Sequence, residues 1–164
     1  MPKLAELNAV DRVEFVRLIG PVFEHSPWVA ARTESQRPFS SREELHAALV
    51  GAVAKATDNE KVCLIRAHPD LIGDDELTDA SKSEQASAGL QDATAEERKQ
   101  FQEFNRQYRA RFEFPFVICA RLNKKDAIAR AFPVRLQNSR EKEIEIALQE
   151  ISKIAELRLK DLIQ

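Results

Sequence analysis

From Asn138 onward the chain reads "NSREKEIEIALQEISKIAELRLKDLIQ", with neither proline nor glycine in the run. Ile144, Ala147, Leu148, Ile151, Ala155 and Leu162 recur at helical steps, the spacing of one helix face and not of a strand. A helix of this length, begun at Asn138 or Ser139, holds only if that stripe is buried against other elements. Arg158 falls inside the stripe, between Ala155 and Leu162. A guanidinium on an apolar face demands a partner. Three are open to it: water reached by snorkelling, a core carboxylate, or a substrate anion that fits its planar fork.

The rest of the chain repeats the helical period. "NAVDRVEFVRLIG" places Val13, Val16, Leu18 and Ile19 near one face and stops at Gly20-Pro21. Ser26 and Pro27 read as N-cap and first residue of a short helix that carries the single tryptophan. Ser41 and Glu44 form a capping-box pattern ahead of Leu45, Ala48, Leu49, Ala52 and Val53, and Thr94 with Glu97 does the same ahead of Phe101, Phe104, Tyr108 and Phe112. "DNEKVCLIRAH" adds a mostly apolar helix, and "NKKDAIARAFPVRL" a helix broken or kinked at Pro133. The one extended-looking stretch is "FEFPFVICA", where Pro115 argues for a tight buried connection over a central strand. The expected architecture is all-α: one bundle-like domain over residues 1–164 with about seven or eight helices.

Composition narrows the function classes. A net charge of −2, with acidic and basic residues interspersed, points away from nucleic acid and acidic membrane surfaces as partners. No apolar run is long enough to span a bilayer, and no leader pattern opens the chain, so it reads as cytoplasmic. Cys63 and Cys119 each sit in an apolar run without CxxC spacing and read as two reduced core thiols.

Two local patterns carry chemistry. Pro69 biases His68 away from helical geometry, so His68 marks the end of the helix through Leu64 and Ile65. There it reads either as a helix-terminal histidine with a satisfied backbone contact, or as a proton carrier near neutral pH aided by a carboxylate such as Glu84. In "SKSEQ", Ser81, Glu84, Gln85 and Ala88 share one helical face. Ser81 and Glu84 also fit a capping box, and local sequence leaves both readings open.

"AHPDL", "LTDASKSEQASAGL", "NRQYRARFEFPFVI", "RLQN" and "EISKIAELRLKDL", in that order, resemble the 2-oxo-4-hydroxy-4-carboxy-5-ureidoimidazoline (OHCU) decarboxylase family, from about Leu7 to Leu162. The resemblance implies an all-α, homodimeric, cofactor-free enzyme with no metal site that makes (S)-allantoin at the end of urate oxidation. It implies His68 as catalytic acid/base, Glu84 as its acidic companion and Arg158 as the anion-binding partner. It further implies a substrate lining of Pro69, Ser81, Lys82, Ser83, Glu84, Gln85, and the backbone of Phe116, Val117, Ile118, Cys119 and Ala120. The loop "IGDDE" after Leu71 departs from the family, which more often has a small residue and a lysine there.

Two rival classes stay in view. A metal-dependent hydrolase would draw on His68, Asp70, Asp74, Asp75 and Glu76, although the EF-hand order and His-Glu-x-x-His are both missing. A helical, dimeric interaction module would use Ile146 and Leu157, opposite the main stripe of the last helix.

Overall fold

Helix starts follow the capping chemistry written in the sequence. In the computed structural model, which describes residues 1–73 and 76–164, Thr57, Thr78 and Thr94 each hold an extended backbone and accept an amide hydrogen bond from the third helical residue. Thr57–Glu60 and Thr94–Glu97 complete reciprocal boxes. Ser41 caps its helix, but the Glu44 carboxylate reaches back to Ser40 instead.

Nine α-helices occur among the described residues: α1 (Leu4–Ala9), α2 (Arg12–Ile19), α3 (Trp28–Thr33), α4 (Arg42–Ala54), α5 (Asp58–Arg66), α6 (Asp79–Ser87), α7 (Ala95–Phe112), α8 (Lys125–Arg135) and α9 (Arg140–Leu162). Short 3-10 turns stand between several of them, and the described residues contain no strand. The all-α reading holds, with α1 as the helix the sequence did not announce. None of these helices is long and apolar enough to cross a membrane.

The chain forms two compact units: residues 1–67 with 152–164, and residues 68–151. In the first, Leu7, Phe15, Ile19, Val29, Leu45, Leu49, Leu64, Ile65, Ala155, Leu159 and Ile163 are buried, and Phe15 stacks on Phe39 at 6.5 Å. Asn8 trades two hydrogen bonds with the Phe39 backbone (2.8 and 2.9 Å), which fastens α1 to the loop before α4. In the second, α7 turns Phe101, Tyr108 and Phe112 inward with Phe104 half-buried, and they meet Phe114, Phe116 and Phe132 in a ring cluster. Residues 114–119 run through this unit as a buried connection without helix or strand, as Pro115 suggested, and Ala120 opens a short 3-10 turn.

Several expectations shift. Val13 is 78% exposed, because α2 turns Phe15 and Ile19 inward. Ser26 is not a cap: its hydroxyl donates to the Glu24 carbonyl (2.8 Å), and α3 begins after Pro27. Pro133 does not break α8, which runs on to Arg135; the proline lies in the last turn, where the missing N–H removes only one late bond. Cys63 is exposed, since α5 buries Val62, Leu64 and Ile65, whereas Cys119 is buried. On α9 the buried face comprises Glu143, Ala147, Glu150, Ile151, Ile154, Ala155, Arg158 and Leu159, with Ile144, Leu148 and Leu162 at its half-buried margin. Ile146 and Leu157 are half-buried.

Candidate active site

His68 opens the second unit, directly after the cap of α5, and is 7% exposed. Three side chains from α6 and α7 hold the segment that follows it, two through its backbone and one through the Asp70 carboxylate. Gln85 Oε1 accepts from the Ile72 amide (3.2 Å) while its Nε2 donates to the Asp70 carbonyl (3.3 Å). Asn105 Nδ2 donates to the Leu71 carbonyl (2.9 Å), and Arg109 Nε lies 3.0 and 3.1 Å from the two Asp70 carboxylate oxygens. Ile72 sits at φ +53°, a left-handed conformation that a β-branched residue adopts only when its surroundings impose it. The loop carrying His68 is thus strained and clamped.

Gln85 serves this clamp with each end of its amide, a use that sequence did not disclose. Leucine at this position removes both bonds and leaves the Ile72 amide without its acceptor. Gln85→Leu is expected to lose about 1–3 kcal/mol of stability by urea titration, and a loss below experimental error would show the loop to be held by other means.

The cap of α6 decides between the two readings of "SKSEQ". Thr78 Oγ1 accepts from the Ser81 amide (3.2 Å), so the capping position lies three residues upstream of the serine. Ser81, Gln85 and Ala88 are buried and Glu84 is half-buried along one face, while Lys82 and Ser83 are exposed. α6 packs against the turn Ala120–Leu122, and the Lys125 amide donates to the Ala88 carbonyl (3.0 Å). The structure therefore brings α6 together with both the loop after His68 and the end of the 116–120 connection.

Two buried acids complete this region. Glu150 Oε1 accepts from the Cys119 amide (3.3 Å). Burial pushes the Cys119 thiol above its ordinary value, and the charges of Glu150 and Glu84 push it further. Behind the connection, Glu143 accepts from Tyr108 Oη (2.6 Å), Arg135 Nε (2.8 Å) and Asn138 Nδ2 (2.9 Å), and Arg135 Nη1 donates to the Val117 carbonyl (2.7 Å).

Arg158 belongs to the first unit and is 5% exposed. Its Nη2 donates to Glu24 Oε2 (2.8 Å) and its Nη1 to the Pro21 carbonyl (3.1 Å). Of the three partners open to this arginine, a core carboxylate is present. Glu24, 2% exposed, went unnoticed in the sequence because nothing periodic surrounds it.

Among the described residues no cluster of three or more His, Cys, Asp or Glu side chains is disposed to hold a metal ion. Asp74 and Asp75 of the metal-hydrolase reading lie outside the described residues. Asp70, also invoked there, pairs with Arg109.

The comparisons with known proteins agree with one another. The family model described as OHCU decarboxylase matches residues 8–160. The chain is 46% identical over 156 residues to 2-oxo-4-hydroxy-4-carboxy-5-ureidoimidazoline decarboxylase of Haloferax volcanii, covering 95% of this chain and 93% of that protein. The same-named protein of Halalkalicoccus jeotgali is 43% identical over 96% of this chain and 89% of its own length. A crystal structure of (S)-allantoin synthase superposes with a TM-score of 0.79 at 29% identity, covering 98% of this chain and 54% of that one. The chain is of the all-α carboxy-lyase class. It belongs to the OHCU decarboxylase family.

Proposed function

We propose that this chain converts OHCU to (S)-allantoin and CO2 in urate degradation, with His68 as acid/base, Glu84 as its companion and Arg158 anchoring the substrate. One observation carries the reading: 46% identity running across 95% of the chain and 93% of a decarboxylase of that name. The substrate's name defines the chemistry. A carboxylate and a hydroxyl share one ring carbon, next to a C=N carbon that bears the ureido group. When the C–CO2 bond breaks, its electron pair forms a double bond to the neighbouring carbon, and the C=N pair moves onto nitrogen, which takes up a proton. The hydroxyl then gives up its proton to become the carbonyl, and the ureido-bearing carbon takes a proton on one face. The C=N group is the electron sink, so the step needs no cofactor to supply one.

The protein's tasks are to hold the anion, carry one proton off and deliver another to a single face. His68, on its clamped loop, suits the proton work, with Glu84 stabilising the imidazolium. Arg158 suits the carboxylate or the ureido group, with Glu24 fixing the plane of its fork. Pro69, residues 81–85 and the backbone of residues 116–120 line the substrate. The reading includes a cytoplasmic homodimer; its dimeric mass is checked by light scattering on the purified protein, where a monomer mass would refute it.

The test is freshly generated OHCU with the purified chain, followed by circular dichroism. Rapid appearance of the (S) enantiomer is expected; conversion at the uncatalysed rate to racemic product would refute the assignment. Arg158→Lys keeps the charge and loses the fork, so KM is expected to rise about 10- to 100-fold, measured with Tm alongside. Unchanged kcat and KM would reduce Arg158 to the structural partner of Glu24.

A further inference from the structure

The substrate-lining connection is itself held from behind by buried charges whose purpose the fold alone does not explain. Arg135 is 6% exposed, Glu150 7% and Glu143 0%. Burying charges is unfavourable unless they are paired, and apolar replacements often stabilise as well or better. Here the charges converge on one segment. Arg135 Nη1 donates to the Val117 carbonyl (2.7 Å), and its guanidinium covers the Phe116 ring at 4.1 Å from the centroid. Glu150 Oε1 accepts from the Cys119 amide (3.3 Å), while Asn123 Nδ2 donates to the Cys119 carbonyl (2.9 Å).

Ile118 stands between these two anchored residues. Among the described residues its own N–H and C=O have no hydrogen-bond partner, although the residue is only 9% exposed. Buried main-chain groups in folded proteins nearly always find a partner. In extended chain, such as the backbone angles at Cys119 describe, the main-chain groups of successive residues point to opposite edges. Anchoring 117 and 119 on one edge therefore turns the Ile118 amide and carbonyl to the other.

We infer that Arg135 and Glu150 are positioning residues for the decarboxylation: they grip the protein-facing edge of residues 116–120 so that the Ile118 main chain is presented to the substrate. The inference rests on the function proposed above. Glu143 acts one step further back, holding the Arg135 guanidinium in the orientation that reaches Val117. The grip lies beside α6, which carries Glu84 and packs against the turn that begins at Ala120.

The experiment compares Glu150→Leu, Glu150→Gln and Arg135→Lys with the wild type, scoring KM, kcat, Tm and enantiomeric excess of the product. Glu150→Leu cannot accept the Cys119 amide, so KM rises about tenfold or more and the product loses enantiomeric purity. Glu150→Gln keeps a carbonyl acceptor and holds KM within about threefold of wild type. Arg135→Lys cannot serve Glu143 and Val117 with the same fork and moves KM in the same direction as Glu150→Leu, which covers the case of a leucine variant that fails to fold. A purely structural role lowers Tm but leaves KM and enantiomeric excess of the folded enzyme unchanged; that outcome in Glu150→Leu or Arg135→Lys overturns the inference. A wild-type chain that leaves OHCU decaying at its uncatalysed rate overturns the assigned reaction itself, and with it any positioning role in that reaction. An active wild type with unaltered variants sinks the positioning role alone.

Discussion

His68→Asn lowers kcat for OHCU about 10²- to 10⁴-fold, the usual contribution of a positioned general acid or base, while the far-ultraviolet spectrum and Tm stay near wild type. Asparagine approximates the ring's hydrogen-bonding reach but cannot be protonated near neutral pH, so the substitution removes proton transfer with little else. The fold is expected to tolerate it because the neighbouring loop has its own supports: Gln85 on Asp70 and Ile72, Asn105 on Leu71, and Arg109 on the Asp70 carboxylate. None of those bonds passes through the imidazole. Glu84→Gln provides the companion measurement. Its amide keeps the volume and loses the charge that stabilises an imidazolium, so kcat falls by less than in His68→Asn. Near-normal stereospecific turnover by His68→Asn would remove the histidine from the mechanism.

What was readable in the sequence divides along a physical line. Local signals survived folding: the caps at Ser41 and Thr94, the stop at Gly20-Pro21, the aromatic face of α7 and the buried prolyl connection around Pro115 all appear where the sequence put them. The buried face of α6 was legible too, once Thr78 took the capping role from Ser81. Signals that depend on a partner far along the chain were not. Glu143 and Glu150 were not singled out, although Glu143, Ala147, Glu150, Ile154 and Arg158 share the steps of three and four that define the buried face. Arg158 raised the question of a partner without naming Glu24, 134 residues away. Gln85 shows the same limit: its buried position followed from helical spacing, its role as a loop clamp from contacts with residues 70 and 72. Periodicity locates a buried polar side chain; only the fold says what satisfies it.

Glu143→Ala is expected to be the most destabilising single change in the second unit, at about 3–5 kcal/mol by urea or thermal unfolding. The carboxylate is fully buried and accepts from three donors on three different segments: Tyr108 of α7, Arg135 of α8 and Asn138 ahead of α9. Alanine leaves a buried guanidinium without its counter-charge and a phenol without its acceptor, beside a new cavity. The penalty belongs to the broken pair, so removing both charges should restore part of it. Arg135→Met with Glu143→Leu is expected to lose less than the sum of the two single changes, the signature of coupled neighbours in a double-mutant cycle. Tyr108 adds a pH test. Burial first, and then its bond to Glu143, hold the phenol above its ordinary value of 10.0. A group raised in the folded state contributes stability below its unfolded value and loses it as pH climbs beyond, so the wild type weakens above about pH 10. A loss under about 1 kcal/mol in Glu143→Ala, within the range of an ordinary single substitution, would show that the cluster is not the keystone of this unit.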